Sequence, residues 1–257
     1  MKLGVQTFTV RKSQKKDIKS TYLSLSRLGA CDLEIARIDF NKKNAHAVRE
    51  ACELYGLSVV SIQVKPKYVI GDVDGVVRFC EITGCKNVVI SMLPFGCILG
   101  GEDKFYSFVD SLDGLYDIYR ERGITLAYHH HNWEYVQLSN GKTRMAEILS
   151  RTERIKFVHD TYWTARSGVS PAQQIREFGD RLLGIHLRDL AFKRKFLDVV
   201  AHDTAIGNGV IDFAAVIDAA REVGCEYTVI EQKTDTPLED IKQSISHLAK
   251  LNFGSKE

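Results

Sequence analysis

The sequence predicts a (β/α)8 TIM barrel of the α/β class. Strand-like and helix-like segments alternate eight times within 257 residues. Five helical segments run into a glycine just before the next strand. The reactive side chains collect where the later strands end, the rim on which barrels of this class carry their chemistry.

A first strand is predicted over Leu3–Thr7, a helix over Asp17–Leu28, and a stop at Gly29. The connecting segment "FTVRKSQKKD" has no glycine, which disfavours an open doubly wound sheet with a phosphate turn after its first strand. A second strand, Asp32–Ala36, is followed by a helix, Ala45–Tyr55, that ends at Gly56. The third pair is Ser58–Gln63 and Val73–Thr83, ending at Gly84. The fourth is Asn87–Ser91 and Lys104–Glu121, ending before Gly123. Between them "LPFGCILGGEDK" carries paired glycines and reads as a lid or a surface loop. The fifth and sixth pairs are Thr125–His129 with Thr143–Ser150, and Lys156–Asp160 with Pro171–Phe178. The seventh is Leu183–Leu187 with Phe213–Val223, stopped by Gly224. The eighth is Tyr227–Glu231 with Pro237–Leu251. The helical segments repeat apolar residues at spacings of three and four, as Val216, Ile217 and Ala220 do. Without a linker or a low-complexity tract, residues 1–257 read as one domain.

Composition narrows the partners. A formal net charge of +2 offers no basic face for nucleic acid. No apolar run approaches a membrane span, and "MKLGVQTFTV" alternates like a strand rather than a signal peptide, so a cytoplasmic protein is expected. The six cysteines form no CxxC pair and read as reduced core residues.

Strand alternation sorts the rim residues. In "YHHHNWEY", His129 and His131 face inward and His130 outward. Asp160, His186 above Gly184, and Glu231 above Val229 also face inward. Two carboxylates and an imidazole thus converge beside a histidine-rich loop. Such a donor set without thiolate suits one divalent metal ion: Mn, Mg, Co or Zn. A substrate with adjacent oxygens could chelate there while a proton moves. His159 reads as a satisfied histidine between barrel and helix, and His46, His202 and His247 as solvated.

The segments "GVQTFTVR", "YHHHNWEY", "DTYW", "HLRD", "GNGVIDF" and "VIEQ", in this order, resemble the xylose isomerase-like TIM barrel superfamily and its sugar phosphate isomerase/epimerase family. The resemblance spans nearly the whole chain. It implies a divalent metal held by four side chains from strands five to eight, of which Asp160, His186 and Glu231 are three. It points to Glu134 as the fourth, with His129 as the alternative and with His129 and His131 contacting substrate or metal-bound water. Three departures stand out: His130 where relatives often have asparagine, Gln63 and Lys65 where a histidine is frequent, and Lys233 in place of an acidic residue.

The expected activity is isomerisation or epimerisation of a sugar, keto-sugar or polyol derivative by proton transfer next to a carbonyl. Glu134 and Glu231 are the expected acid/base pair, with His129 or His131 as proton shuttle. Gln6, Phe8, Lys65, Trp163 and Arg188 are the expected substrate contacts. Glu34, near the end of strand two, is expected either to meet substrate or to pair with Arg37 or another basic neighbour. The alternative activity is a lyase or dehydratase of the inosose dehydratase or keto-glycoside-cleaving kind. An AP-site endonuclease would need more histidine and carboxylate ligands and a basic groove; a silent sugar-binding barrel would keep the pocket without turnover. The expected partner is a small-molecule carbohydrate, without nucleic acid or membrane. Barrels of this type often pair, so a homo-oligomer is also an expectation.

Overall fold

The computed structural model describes residues 3–251. Ten strands occur among them: β1 Leu3–Gln6, β2 Asp32–Ile35, β3 Ser58–Val64, β4 Asn87–Ile90, β5 Thr125–His129, β6 Lys156–Asp160, β7 Leu182–Leu187, β8 Asp189–Lys195, β9 Asp198–Thr204 and β10 Tyr227–Ile230. The helices are α1 Arg11–Lys16, α2 Ile18–Arg27, α3 Lys42–Tyr55, α4 Pro66–Gly71, α5 Val73–Thr83, α6 Phe95–Leu99, α7 Glu102–Arg120, α8 Arg144–Arg151, α9 Thr161–Arg166, α10 Pro171–Phe178, α11 Phe213–Glu222 and α12 Pro237–Lys250.

Eight strands close a parallel barrel in the order β1-β2-β3-β4-β5-β6-β7-β10, as the alternation predicts. Closure leaves no free sheet edge. Side-chain oxygens supply the first turns of several helices: Asp17 accepts from the Ser20 amide, Asn41 from Asn44, Asp72 from Gly75 and Thr143 from Ala146. At the other ends Gly56 and Gly84 take left-handed backbones, where a side chain would be strained.

The core has two layers. A continuous apolar shell fills the space between strands and helices. A smaller group lies inside the barrel, Val89, Ala127, Val158, Leu183, Tyr227 and Val229; of these Ala127, Val158 and Val229 lie two positions before the rim residues His129, Asp160 and Glu231 on the same inward faces. The predicted alternation of β5, β6 and β10 is thus observed. Gly184 makes room for the Tyr227 ring: a Cβ there would stand 2.3 Å from Tyr227 Cζ. Gly184→Ala is expected to cost about 1–3 kcal/mol through overpacking, read from the midpoint of chemical denaturation.

Besides the short additional helices α1, α4 and α9, two elements depart from the predicted pattern. The segment "LPFGCILGGEDK" folds in part as α6, with Phe95 and Leu99 exposed. Between barrel strands β7 and β10 the chain makes an unforeseen antiparallel hairpin, β8–β9, with Asp189 opposite Thr204 and Lys195 opposite Asp198. Its turn contains no glycine or asparagine; Phe196 itself takes φ of 56°. Asp189 fastens the base: one carboxylate oxygen accepts from the Gly207 and Gly209 amides (both 2.9 Å), and the other from Leu190 (2.8 Å) and Ile211 (3.2 Å). Gly209 is needed for this approach, since a Cβ would stand 2.2 Å from Asp189 Oδ1. Among the described residues, no helix is long and apolar enough to cross a membrane.

Candidate metal centre

The ends of β5, β6, β7 and β10 bring His129, Asp160, His186 and Glu231 together. One ligand atom from each lies within 4.8 Å of the other three, and all four residues are buried. His129 continues the inward face of β5; its Nδ1 lies 3.3 Å from the Ser91 carbonyl, which leaves Nε2 toward the centre, 3.6 Å from Asp160 Oδ2. Asp160 divides its two oxygens: Oδ1 accepts from the Trp163 amide and starts α9, while Oδ2 faces the cluster. His186 is fixed from behind, its Nε2 2.7 Å from Glu34 Oε1. Glu34 is itself held by Ser61 Oγ at 2.6 Å and Tyr227 Oη at 3.0 Å, both donating to Oε2.

The donor set fits a divalent cation. His129 Nε2, His186 Nδ1 and Glu231 Oε2 are buried without a hydrogen-bond partner. Buried polar atoms are rarely left so. His186 Nδ1 lies 2.8 Å from Glu231 Oε2 without hydrogen-bond alignment, as two ligands of a shared ion would. The pairing of His186 with Glu34 is the carboxylate–histidine arrangement that orients a ligating imidazole.

Charge is balanced tightly here. Burial opposes a charge on His186, but Glu34 and Glu231 outweigh it and raise its pKa to about 10. Burial likewise opposes ionisation of Glu231, yet Arg188 and His186 bring it down to about 2. Asp160 is held well below the usual carboxylate range: burial is overcome by Arg188, then by His129 and His186. Arg188 Nη1 lies 3.1 Å from Asp160 Oδ2 and 3.4 Å from Glu231 Oε1. Its Nη2 reaches Asp203 on β9, so one guanidinium joins the cluster to the hairpin.

At the fourth position the geometry favours the stated alternative, His129, over Glu134. Glu134 is not in the group; His129 is. Asn132–Tyr135 forms one tight helical turn, and Glu134 folds back on its own start, with Oε2 accepting from the His131 amide at 2.8 Å and Oε1 from the Tyr128 hydroxyl. Both oxygens are therefore engaged away from the cluster. Burial raises the Glu134 pKa to about 7, although Tyr128 and the His131 amide act against it. The expected acid/base partner of Glu231 is thus hydrogen-bonded to Tyr128 and the His131 amide, outside the cluster.

The other expected residues divide. His131 borders the cluster, its ring 4.8 Å from His129 and 5.2 Å from Trp163; its Nδ1 is buried without a partner. Burial, then His129, holds the His131 pKa well below its ordinary value. Arg188 also stacks on Tyr162 and Trp163, at 4.9 and 5.4 Å from their ring centres. Gln6 is committed within the protein, donating to Gln63 Oε1 at 3.0 Å and accepting from the Phe8 amide at 2.6 Å. Phe8 lies under the Arg11 guanidinium at 4.0 Å, and Lys65 is exposed at the start of α4. His130 points outward as expected, where its Nε2 accepts from the Asp160 amide at 3.1 Å. His159 Nε2 lies 3.0 Å from Thr164 Oγ1, but its Nδ1 is buried without a partner, so the expected satisfied histidine is met at one nitrogen only. The role of Glu34 was not readable in advance, because its partner His186 lies 152 positions away; its inward place near the end of β2 was the available signal.

Fold and site together define a barrel of the class that gathers histidine and carboxylate ligands at the C-terminal rim. The chain belongs to the xylose isomerase-like TIM barrel family, whose sequence model matches residues 24–251. It is 27% identical over 146 residues to an inosose dehydratase of Geobacillus thermodenitrificans, a match covering 52% of this chain and 49% of that protein. The chain thus matches about half the length of such a curated relative. A sugar phosphate isomerase/epimerase from Parabacteroides distasonis shares the fold with a TM-score of 0.82 at 17% identity, covering 99% of this chain and 95% of the other. The IOLI protein, described with a zinc atom, superposes with a TM-score of 0.74 at 16% identity over 100% of both chains.

Proposed function

We propose that this protein is a divalent-metal-dependent enzyme that removes a proton from the carbon next to a carbonyl in a polyol-derived ketone or keto-sugar, and then eliminates a neighbouring hydroxyl as water. The observation that carries this reading is the buried group His129, Asp160, His186 and Glu231, with three unpartnered ligand atoms aimed at one centre. These four residues would hold the ion, and the ion would supply Lewis acidity toward the carbonyl oxygen.

The chain's own residues do the rest. Glu34 holds His186 from behind and sets its orientation. Glu231, kept ionised by the Arg188 guanidinium 3.4 Å from its Oε1, accepts the proton as the C–H bond breaks and its electron pair moves toward the carbonyl. His131, with Nδ1 free, relays the proton that Glu231 has taken from carbon to the departing hydroxyl, which leaves as water as the carbon–carbon double bond forms. Trp163 and Tyr162 give an apolar wall for the C–H face of the substrate, and Arg188 faces developing negative charge.

Elimination is preferred to epimerisation on one observation. Epimerisation by two carboxylates needs a second one across the substrate from Glu231, and Glu134 is spent on Tyr128 and the His131 amide. The similarity to inosose dehydratases points the same way. Isomerisation is the second reading: it shares the first proton transfer and needs only a shuttle such as His131.

Keto-inositols, keto-sugars and their phosphates, incubated with the protein and Mn, Mg, Co or Zn in heavy water, separate the outcomes. Deuterium uptake beside the carbonyl with loss of one water supports elimination. Uptake without mass loss supports isomerisation, and ligand binding without either would leave a sugar-binding barrel.

A further inference from the structure

The hairpin β8–β9 adds one charged group to the rim, and its placement is specific. Asp203 sits near the end of β9, opposite Leu190, with its side chain 9% exposed. One carboxylate oxygen pairs with Arg188 Nη2. The other, Oδ1, is buried without a partner, as is Arg188 Nε. Arg188 therefore lies between two sets of anions: Asp160 and Glu231 of the cluster at Nη1, and Asp203 of the hairpin at Nη2.

We propose that Asp203 is a positioning residue that sets the metal affinity of the cluster by anchoring Arg188. This rests on the reading of the cluster as a metal site. An unanchored guanidinium would turn its charge onto Asp160 and Glu231 and compete with a cation for their oxygens. Pairing Nη2 with Asp203 holds Arg188 at the edge, where it touches both carboxylates through a single nitrogen. Loss of Asp203 therefore weakens metal binding. The hairpin thus becomes part of the site without contributing a ligand.

The test is titration calorimetry of the full chain with Mn and with Zn. Asp203→Asn is expected to raise the Kd about 10-fold or more, the range seen when a group behind a metal ligand is lost. Asp203→Glu should recover most of the affinity, and Asp198→Asn at the exposed hairpin end should change nothing. In an Arg188→Met background the effect of Asp203→Asn should largely vanish, because the group being anchored is gone. A merely structural role would move the thermal midpoint and leave Kd alone. Unchanged or tighter binding in Asp203→Asn, or equal weakening in both backgrounds, overturns the proposal by itself. A wild-type chain that binds neither ion would overturn the metal reading as well, and so distinguishes the two failures.

Discussion

Glu231→Gln is expected to lower turnover by about 10²–10⁴-fold, the range for losing a positioned general base. The substitution keeps the shape of the side chain and removes the negative charge that Arg188 stabilises. It also takes one anionic donor from a group that otherwise contains one more carboxylate and two imidazoles. Deuterium exchange beside the substrate carbonyl, measured at saturating metal, separates loss of the base from loss of affinity. The fold should survive, because the β10 backbone pairing does not use this side chain. Exchange within tenfold of wild type would remove Glu231 from the role of base.

His129→Ala and Glu134→Ala should fail in different ways. Removing His129 takes a ligand from the cluster, and divalent-metal affinity should fall by at least about 10–100-fold, the range for losing an outer partner alone. Removing Glu134 should leave metal affinity within a few-fold. It strands the Tyr128 hydroxyl and the His131 amide instead, at a cost of about 1–3 kcal/mol in stability. Calorimetric metal titration and denaturation midpoints on the same two proteins decide between the ligand assignments. A collapse of metal binding in Glu134→Ala with normal stability would restore Glu134 as the fourth ligand.

The barrel was legible because its signals are local and repeated. Each inward residue at a strand end follows from alternation within a few positions, so Asp160, His186 and Glu231 could be placed from short segments. The fourth member of the cluster was less accessible. His129 and Glu134 are five positions apart, and only the tight turn over Asn132–Tyr135 decides which one reaches the cluster. That turn depends on the Tyr128 hydroxyl below it, a tertiary contact. The hairpin escaped notice because its turn uses Phe196 in a left-handed backbone instead of the glycine or asparagine that usually marks such reversals. Asp203 escaped with it. Glu34 and His186 meet across the barrel, a pairing no strand pattern specifies. The glycines of "GNGVIDF" were visible as a motif, but their purpose, letting backbone amides close on Asp189, needs the folded chain.

The clasp that Asp189 makes with the segment beyond β9 separates ribbon from barrel. Because the ribbon is fastened at its root, the eight staves of the cask keep their register without pairing to it. A substitution in the ribbon at Asp203 would therefore change the charge over the reaction chamber while the four clustered side chains stay as they are.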